Sequence, residues 1–140
     1  MKPKYITVHC SATPPKMDVT ASMIRDWHKA RGWSDIGYHY VIRLDGSLEI
    51  GRPFRKTGAH VKGHNKDNIG ICLIGGLDAD GNPRDTFNDA QYATLRFFIA
   101  NLAGSEGIKQ KNIKGHRDWP NVSKSCPCFD VQDKLKEWSK

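Results

Sequence analysis

The 140-residue chain has no apolar run approaching a membrane span, which takes about 20 consecutive apolar residues, so membrane insertion is not expected. It also has no apolar leader. "MKPKYITVHC" lacks the stretch that precedes a cleavage site, and synthesis in a reducing cytosol is the expectation. There is no block of five like charges and no arginine-rich helix, although 22 Lys+Arg against 15 Asp+Glu leave a net charge of +7. That pattern argues against specific nucleic-acid binding and leaves a general attraction to polyanions, an acidic cell wall among them. Cysteines number only 4, and none forms the Cys-x-x-Cys pair that wraps a structural metal. In a reducing compartment, cysteines and histidines brought together more often signal metal binding or catalysis than disulfides. Internal repeats, low-complexity segments and linkers are absent.

What is present fits one domain, residues 1–140, whose length buries roughly two-thirds of the unfolded surface without covalent staples. Tyr5 to Cys10 is a β-rich run closed by "SATPP". Thr20 caps a predicted helix to about Arg31, with Ile24 and Trp27 on one face, His28 packing beside Trp27, and Gly32 as its stop. Tyr38 to Leu44, Asp45-Gly46 and Leu48 to Ile50 read as a hairpin. Residues 52–67 read as a long loop, His60 and His64 included. Asn68 to Ile74 is almost continuously apolar and reads as a central strand. Thr86 to Asp89 resembles a capping box before a helix carrying Tyr92, Leu95, Ile99 and Leu102. Asn112 to Gly115 reads as a short strand delivering His116, and Val131, Leu135 and Trp138 stripe a closing helix. Alternating strands and helices predict an α/β domain with a central sheet flanked by helices.

Two histidines end strands: His9 after "YITV" and His116 at the start of "GHRDWP". Taken singly, each is ordinarily a core or surface residue. Strand alternation puts Ile6, Val8 and Cys10 on one face and Tyr5, Thr7 and His9 on the other, so His9 and Cys10 do not ligate one ion together. If the loop after His116 doubles back, Cys126 of "SKSCPCF" joins the histidines. Three protein donors with an open position is the catalytic zinc arrangement, whereas four donors close the site. Cys128 would be that fourth donor, but Pro127 stiffens the link between the two thiols. Lys124, two residues before Cys126, is a like charge beside a cation. It makes sense where an oxyanion develops during reaction, and is otherwise a solvated loop lysine. Period two places Tyr38 and Tyr40 of "GYHY" on one face and His39 on the other; the Tyr38 hydroxyl suits orienting a water or donating to a carbonyl. No glutamate falls in a convincing catalytic position: Glu49 closes the hairpin and Glu106 follows a helix.

In their order, "VHCSAT", "IRDWHKARGWSDIGYHYVI", "DGSLEIGRP", "GAHVKGHNKDNIGICLIGG", "GHRDW" and "KSCPCFD" resemble the type 2 N-acetylmuramoyl-L-alanine amidases, the superfamily that includes the peptidoglycan recognition proteins. Within it the likeness is greatest to the small amidase-type lysozymes of tailed bacteriophages. The resemblance implies a mixed sheet with flanking helices and a Zn2+ cofactor on His9, His116 and Cys126. It assigns catalytic roles to Tyr38 and Lys124 and a substrate contact to His60, and leaves Cys128 a bystander. It further implies a monomeric enzyme that uses zinc-activated water to hydrolyse the amide between N-acetylmuramic acid and L-alanine of peptidoglycan. Such an enzyme would be a phage endolysin made in the host cytoplasm that reaches the periplasmic wall once the membrane is permeabilised, or else a cytosolic cell-wall recycling enzyme, the basic surface favouring the endolysin. Two rival readings are a recognition module that holds muropeptide without cutting it and, further off, a zinc-structural protein binding nucleic acid.

Overall fold

A computed structural model describes residues 1–140. The strands are β1 (Tyr5–Cys10), β2 (Tyr40–Ile42), β3 (Leu48–Ile50), β4 (Asn68–Leu73) and β5 (Ile113–Gly115), and the helices are α1 (Ala21–Ala30), α2 (Asp89–Glu106) and α3 (Val131–Trp138). They form one mixed sheet in the order β3-β2-β4-β1-β5. Strands β2, β4, β1 and β5 are parallel, and β3 pairs antiparallel to β2 as the outer arm of the hairpin. The two inner strands are the most apolar. Every residue of β4 is buried, as is all of β1 after Tyr5, as expected of strands covered on both faces.

Alternation along the strands splits the core in two. Ile6, Val8 and Cys10 align with Ile69, Ile71 and Leu73. They pack beneath Leu95, Ile99 and Leu102 of α2 and Val131 of α3 in a 15-residue cluster. The opposite face carries Thr7, His9, Val41 and Cys72; there Val41, Cys72 and Ile74 pack with Ala21 and Ile24 of α1 in a 7-residue cluster. The crossovers β1-α1-β2 and β4-α2-β5 run in opposite directions across the sheet. For right-handed connections that places their helices on opposite faces.

Local chemistry starts and stops these helices. Thr20 accepts a hydrogen bond from Met23 N–H at 3.2 Å and begins α1, and Gly32, at φ +93°, turns the chain away after it. Asp130 caps α3 by accepting from Asp133 N–H at 2.9 Å. The box before α2 is built by Asn88 and Gln91, which exchange hydrogen bonds of 3.1 and 2.9 Å. Thr86, expected to open that box, instead accepts from Gly76 N–H at 2.9 Å. A second correction concerns the tyrosines. Because β2 begins only at Tyr40, strand alternation does not reach back to Tyr38. Tyr40 packs on Phe98 at 4.5 Å on the α2 side, while Tyr38 joins the cluster beneath α1.

Candidate metal centre and active site

β1 and β5 lie side by side and parallel, so the residues at their carboxyl ends, His9 and His116, become neighbours with ring centroids 4.5 Å apart. In open α/β sheets this edge is where ligands bind. The chain after β5 then folds back on itself. Asp118 accepts from Gly115 N–H at 2.8 Å, and Trp119 donates its indole N–H to Thr7 Oγ1 at 3.0 Å. Arg117 N–H donates to the carbonyl of Cys126 at 2.9 Å. Gly115 is required for this closure, since a Cβ there would lie 2.8 Å from Pro127 Cδ. Cys126 is thereby set against β1, where Cys10 N–H donates to its Sγ at 3.1 Å. One ligand atom each from His9, His116 and Cys126 lies within 4.8 Å of the others.

The donors suit a metal ion. Burial holds His9 well below the usual histidine range, helped by the charges of His60, His116 and Lys124. Burial, then Lys124, lowers His116 as well. Both imidazoles are therefore neutral, as ligands must be. The amide N–H of Cys10 is aimed at Cys126 Sγ. Two imidazoles and a thiolate are the donor set zinc takes. Cys128 is turned elsewhere: its Sγ lies 3.5 Å from the carbonyl of Gly76, and burial pushes its thiol up to about 11. The hydrogen-bonding contact with Cys126, then burial, keep the Cys10 thiol protonated as well. All four cysteines are free.

Around the three donors opens a cleft of adjoining pockets, about 560, 480 and 200 Å³ in volume. Lys124 lines all three. Tyr38 lines two of them, and its ring stands 5.0 Å from that of His9. Burial holds the Tyr38 phenol well above its usual range, so it stays a hydrogen-bond donor. Arg31 and Lys62 add two further cations to the lining, and no carboxylate joins them. A separate hollow of about 600 Å³ between α2 and α3 has neither histidine nor cysteine in its lining.

The sequence did not single out Arg31, Lys62 or the tryptophans of the cleft wall. Trp27, on the face expected to be buried, is 38% exposed and lines the cleft. His28 packs on Trp33 at 4.6 Å, and its Nδ1 accepts from Gly37 N–H at 2.9 Å. The one available signal was the clustering of three tryptophan and histidine side chains just before "DIGYHY". His60 is 8% exposed, and both its ring nitrogens already have partners within the protein.

His28 gives the protein a dependence on acid. Burial lowers it to about 4, with contributions from Arg31 and Arg52. The unfolded chain takes up this proton near pH 6.5 and the folded chain only near 4, so stability is lost as pH falls through that window. The shift has a ceiling of about 3 kcal/mol, and solvent at the cleft trims it to about 1–2 kcal/mol. In the metal-free protein His28→Asn, which keeps an acceptor for Gly37, should show a smaller drop in urea midpoint from pH 7 to pH 4.5 than the parent. An equal drop would rule out His28 as the group responsible.

A layered α/β domain with two imidazoles and a thiol, a group able to hold a metal ion, gathered at the carboxyl ends of parallel strands beside a lysine and a tyrosine, defines the class: an enzyme of the amidohydrolase kind. The chain belongs to the N-acetylmuramoyl-L-alanine amidase family, whose model matches residues 1–129. It is 45% identical over 129 residues to an endolysin of Enterobacteria phage K11, covering 92% of this chain and 83% of that protein. It is 42% identical over 134 residues to the endolysin of Escherichia phage T7, covering 95% and 83%. Among solved structures, the amidase LysC from Clostridium intestinale URNW superposes with a TM-score of 0.82 at 28% identity, covering 99% of this chain and 86% of that one.

Proposed function

We propose that residues 1–140 form one catalytic domain that hydrolyses the amide between N-acetylmuramic acid and L-alanine of the peptidoglycan stem, as a phage endolysin. The observation that carries this reading is the convergence of His9, His116 and Cys126 on one point, with Lys124 and Tyr38 lining the same cleft. In this proposal His9, His116 and Cys126 hold zinc. A bound zinc ion supplies Lewis acidity and lowers the pKa of water from about 15.7 towards about 7.

The remaining work falls to the chain. The cations Arg31, Lys62 and Lys124, without an opposing carboxylate, draw the anionic stem peptide into the cleft. Trp33 and the glycine-bearing turn at Gly63 form its walls. Lys124 stands where negative charge grows on the scissile carbonyl oxygen and stabilises it. Tyr38, protonated and held by packing on His9 and His28, orients the attacking water or the carbonyl. Addition of water and loss of the amine leave a lactyl carboxylate on the sugar and a free amino terminus on L-alanine. We further propose that the protein acts as a monomer and is made in the host cytoplasm, reaching the wall after the membrane is permeabilised. No helix is long and apolar enough to cross a membrane.

Incubating the purified protein with a defined muropeptide and taking a mass spectrum of the products tests the reaction. Separate glycan and stem-peptide masses, the peptide carrying a new amino terminus, are expected. Intact muropeptide recovered bound to the protein would favour a recognition module instead.

A further inference from the structure

We infer that His60 is a positioning residue: it accepts the Nε2 proton of His9 and so holds that ring in the tautomer whose Nδ1 lone pair serves the metal. The inference rests on the metal-site reading above and gives His60 a role beyond the substrate contact that resemblance implies.

The geometry fixes the direction of each hydrogen bond. His60 Nε2 lies 2.9 Å from the backbone carbonyl of Asn68. A carbonyl oxygen only accepts, so the His60 proton sits on Nε2. The Nδ1 of a neutral His60 then carries a lone pair and only accepts. Its partner, at 2.9 Å, is His9 Nε2, which must be the donor. One nitrogen of His9 remains, Nδ1, with its lone pair free for the point shared with His116 and Cys126. The relay begins at the β4 backbone and ends at a ligand, and no water or mobile side chain interrupts it.

The surrounding chain clamps the ring. A Cβ at Gly70 would lie 2.7 Å from His60 Cγ, and one at Gly58 would lie 2.7 Å from its Cδ2. Two glycines thus form the slot in which the imidazole lies. Asn65 Oδ1 accepts from both His60 N–H and Val61 N–H at 2.8 Å, fixing the loop that carries the ring. Asn68 ties that loop down twice more: its Nδ2 donates to the carbonyl of His64 at 2.8 Å, and its Oδ1 accepts from Thr7 at 2.8 Å. His60 also borders the cleft, but with both nitrogens engaged it has none left to hydrogen-bond a substrate. Partners of this kind hold a ligating histidine in its tautomer and orientation, and losing one costs about 10- to 100-fold in metal affinity.

Nitrogen NMR on histidine-labelled, metal-free protein is the first test. A scalar coupling across the hydrogen bond between His9 Nε2 and His60 Nδ1, with the proton covalently on His9, is expected. A proton found on His60 Nδ1 would overturn the inference. The second test measures zinc affinity by chelator competition. His60→Phe should bind zinc about 10- to 100-fold more weakly. His60→Asn, whose side-chain oxygen keeps an acceptor near the position of Nδ1, should recover most of that loss. Circular dichroism of both metal-free variants checks the fold, and if His60→Phe does not fold, the NMR result and His60→Asn still decide. Parental affinity in a folded His60→Phe would sink the role of His60 alone. A parent protein that takes up no zinc would sink the metal reading itself.

Discussion

Stripping the metal should abolish cell-wall cleavage and leave the protein folded. The three donors lie at the tips of separate elements: the end of β1, the turn after β5 and the loop before α3. Neither hydrophobic cluster is built around them. The 15- and 7-residue cores hold the sheet between its helices by burying apolar surface, about 25 cal/mol for each Å² removed from water. In small zinc-folded domains, by contrast, the metal supplies the folding energy itself. Chelation should therefore lower turnover about a thousandfold or more, because water's acidity returns towards its bulk value. The far- and near-ultraviolet circular dichroism should hold, and added Zn2+ should restore activity. Undiminished cleavage in excess chelator, or unfolding of the chelated protein, would refute this arrangement.

Replacing Lys124 with alanine should lower kcat about 100- to 1000-fold, equivalent to roughly 3–4 kcal/mol, the usual consequence of removing one oxyanion-stabilising donor. The direction of its effect on metal affinity separates this role from a structural one. The Lys124 ammonium acts on His9 and His116 as a like charge, lowering both pKa values. Its removal relieves a repulsion, so Lys124→Ala should bind zinc at least as tightly as the parent while turning over far more slowly. A variant that cleaves at the parental rate, or that loses its metal, would show that Lys124 does something else. The side chain is exposed, and its loss leaves no cavity in the core.

Much of the fold was legible because burial imposes short repeats. The two-residue alternation of "YITVHC" correctly parted His9 from Cys10, and the apolar run at Asn68 to Ile74 marked an inner strand, which ends at Leu73. The cap at Thr20 announced a helix through a side chain that satisfies a free amide proton. The misplaced features follow the same physics. Thr86 has the chemistry of a cap, but its hydroxyl was needed by Gly76 N–H. Tyr38 continues an alternating pattern, but regular strand geometry begins only at Tyr40. Trp27 sits at helical spacing from Ile24, yet that side of α1 borders the cleft.

Element types, the succession of strands and helices along the chain, and the residues able to act as donors could be read from the chain alone, since these depend on side-chain chemistry and on neighbours a few positions away. The folded molecule was needed to show that β5 lies beside β1, that the loop after His116 returns to set Cys126 over Cys10 N–H, and that Cys128 turns towards Gly76. It also showed that both nitrogens of His60 are engaged. Apart from the local bond of His60 to Asn68, these outcomes rest on contacts between residues 51 to 116 positions apart. Sheet order and loop closure set such contacts, and no local pattern of residues encodes them.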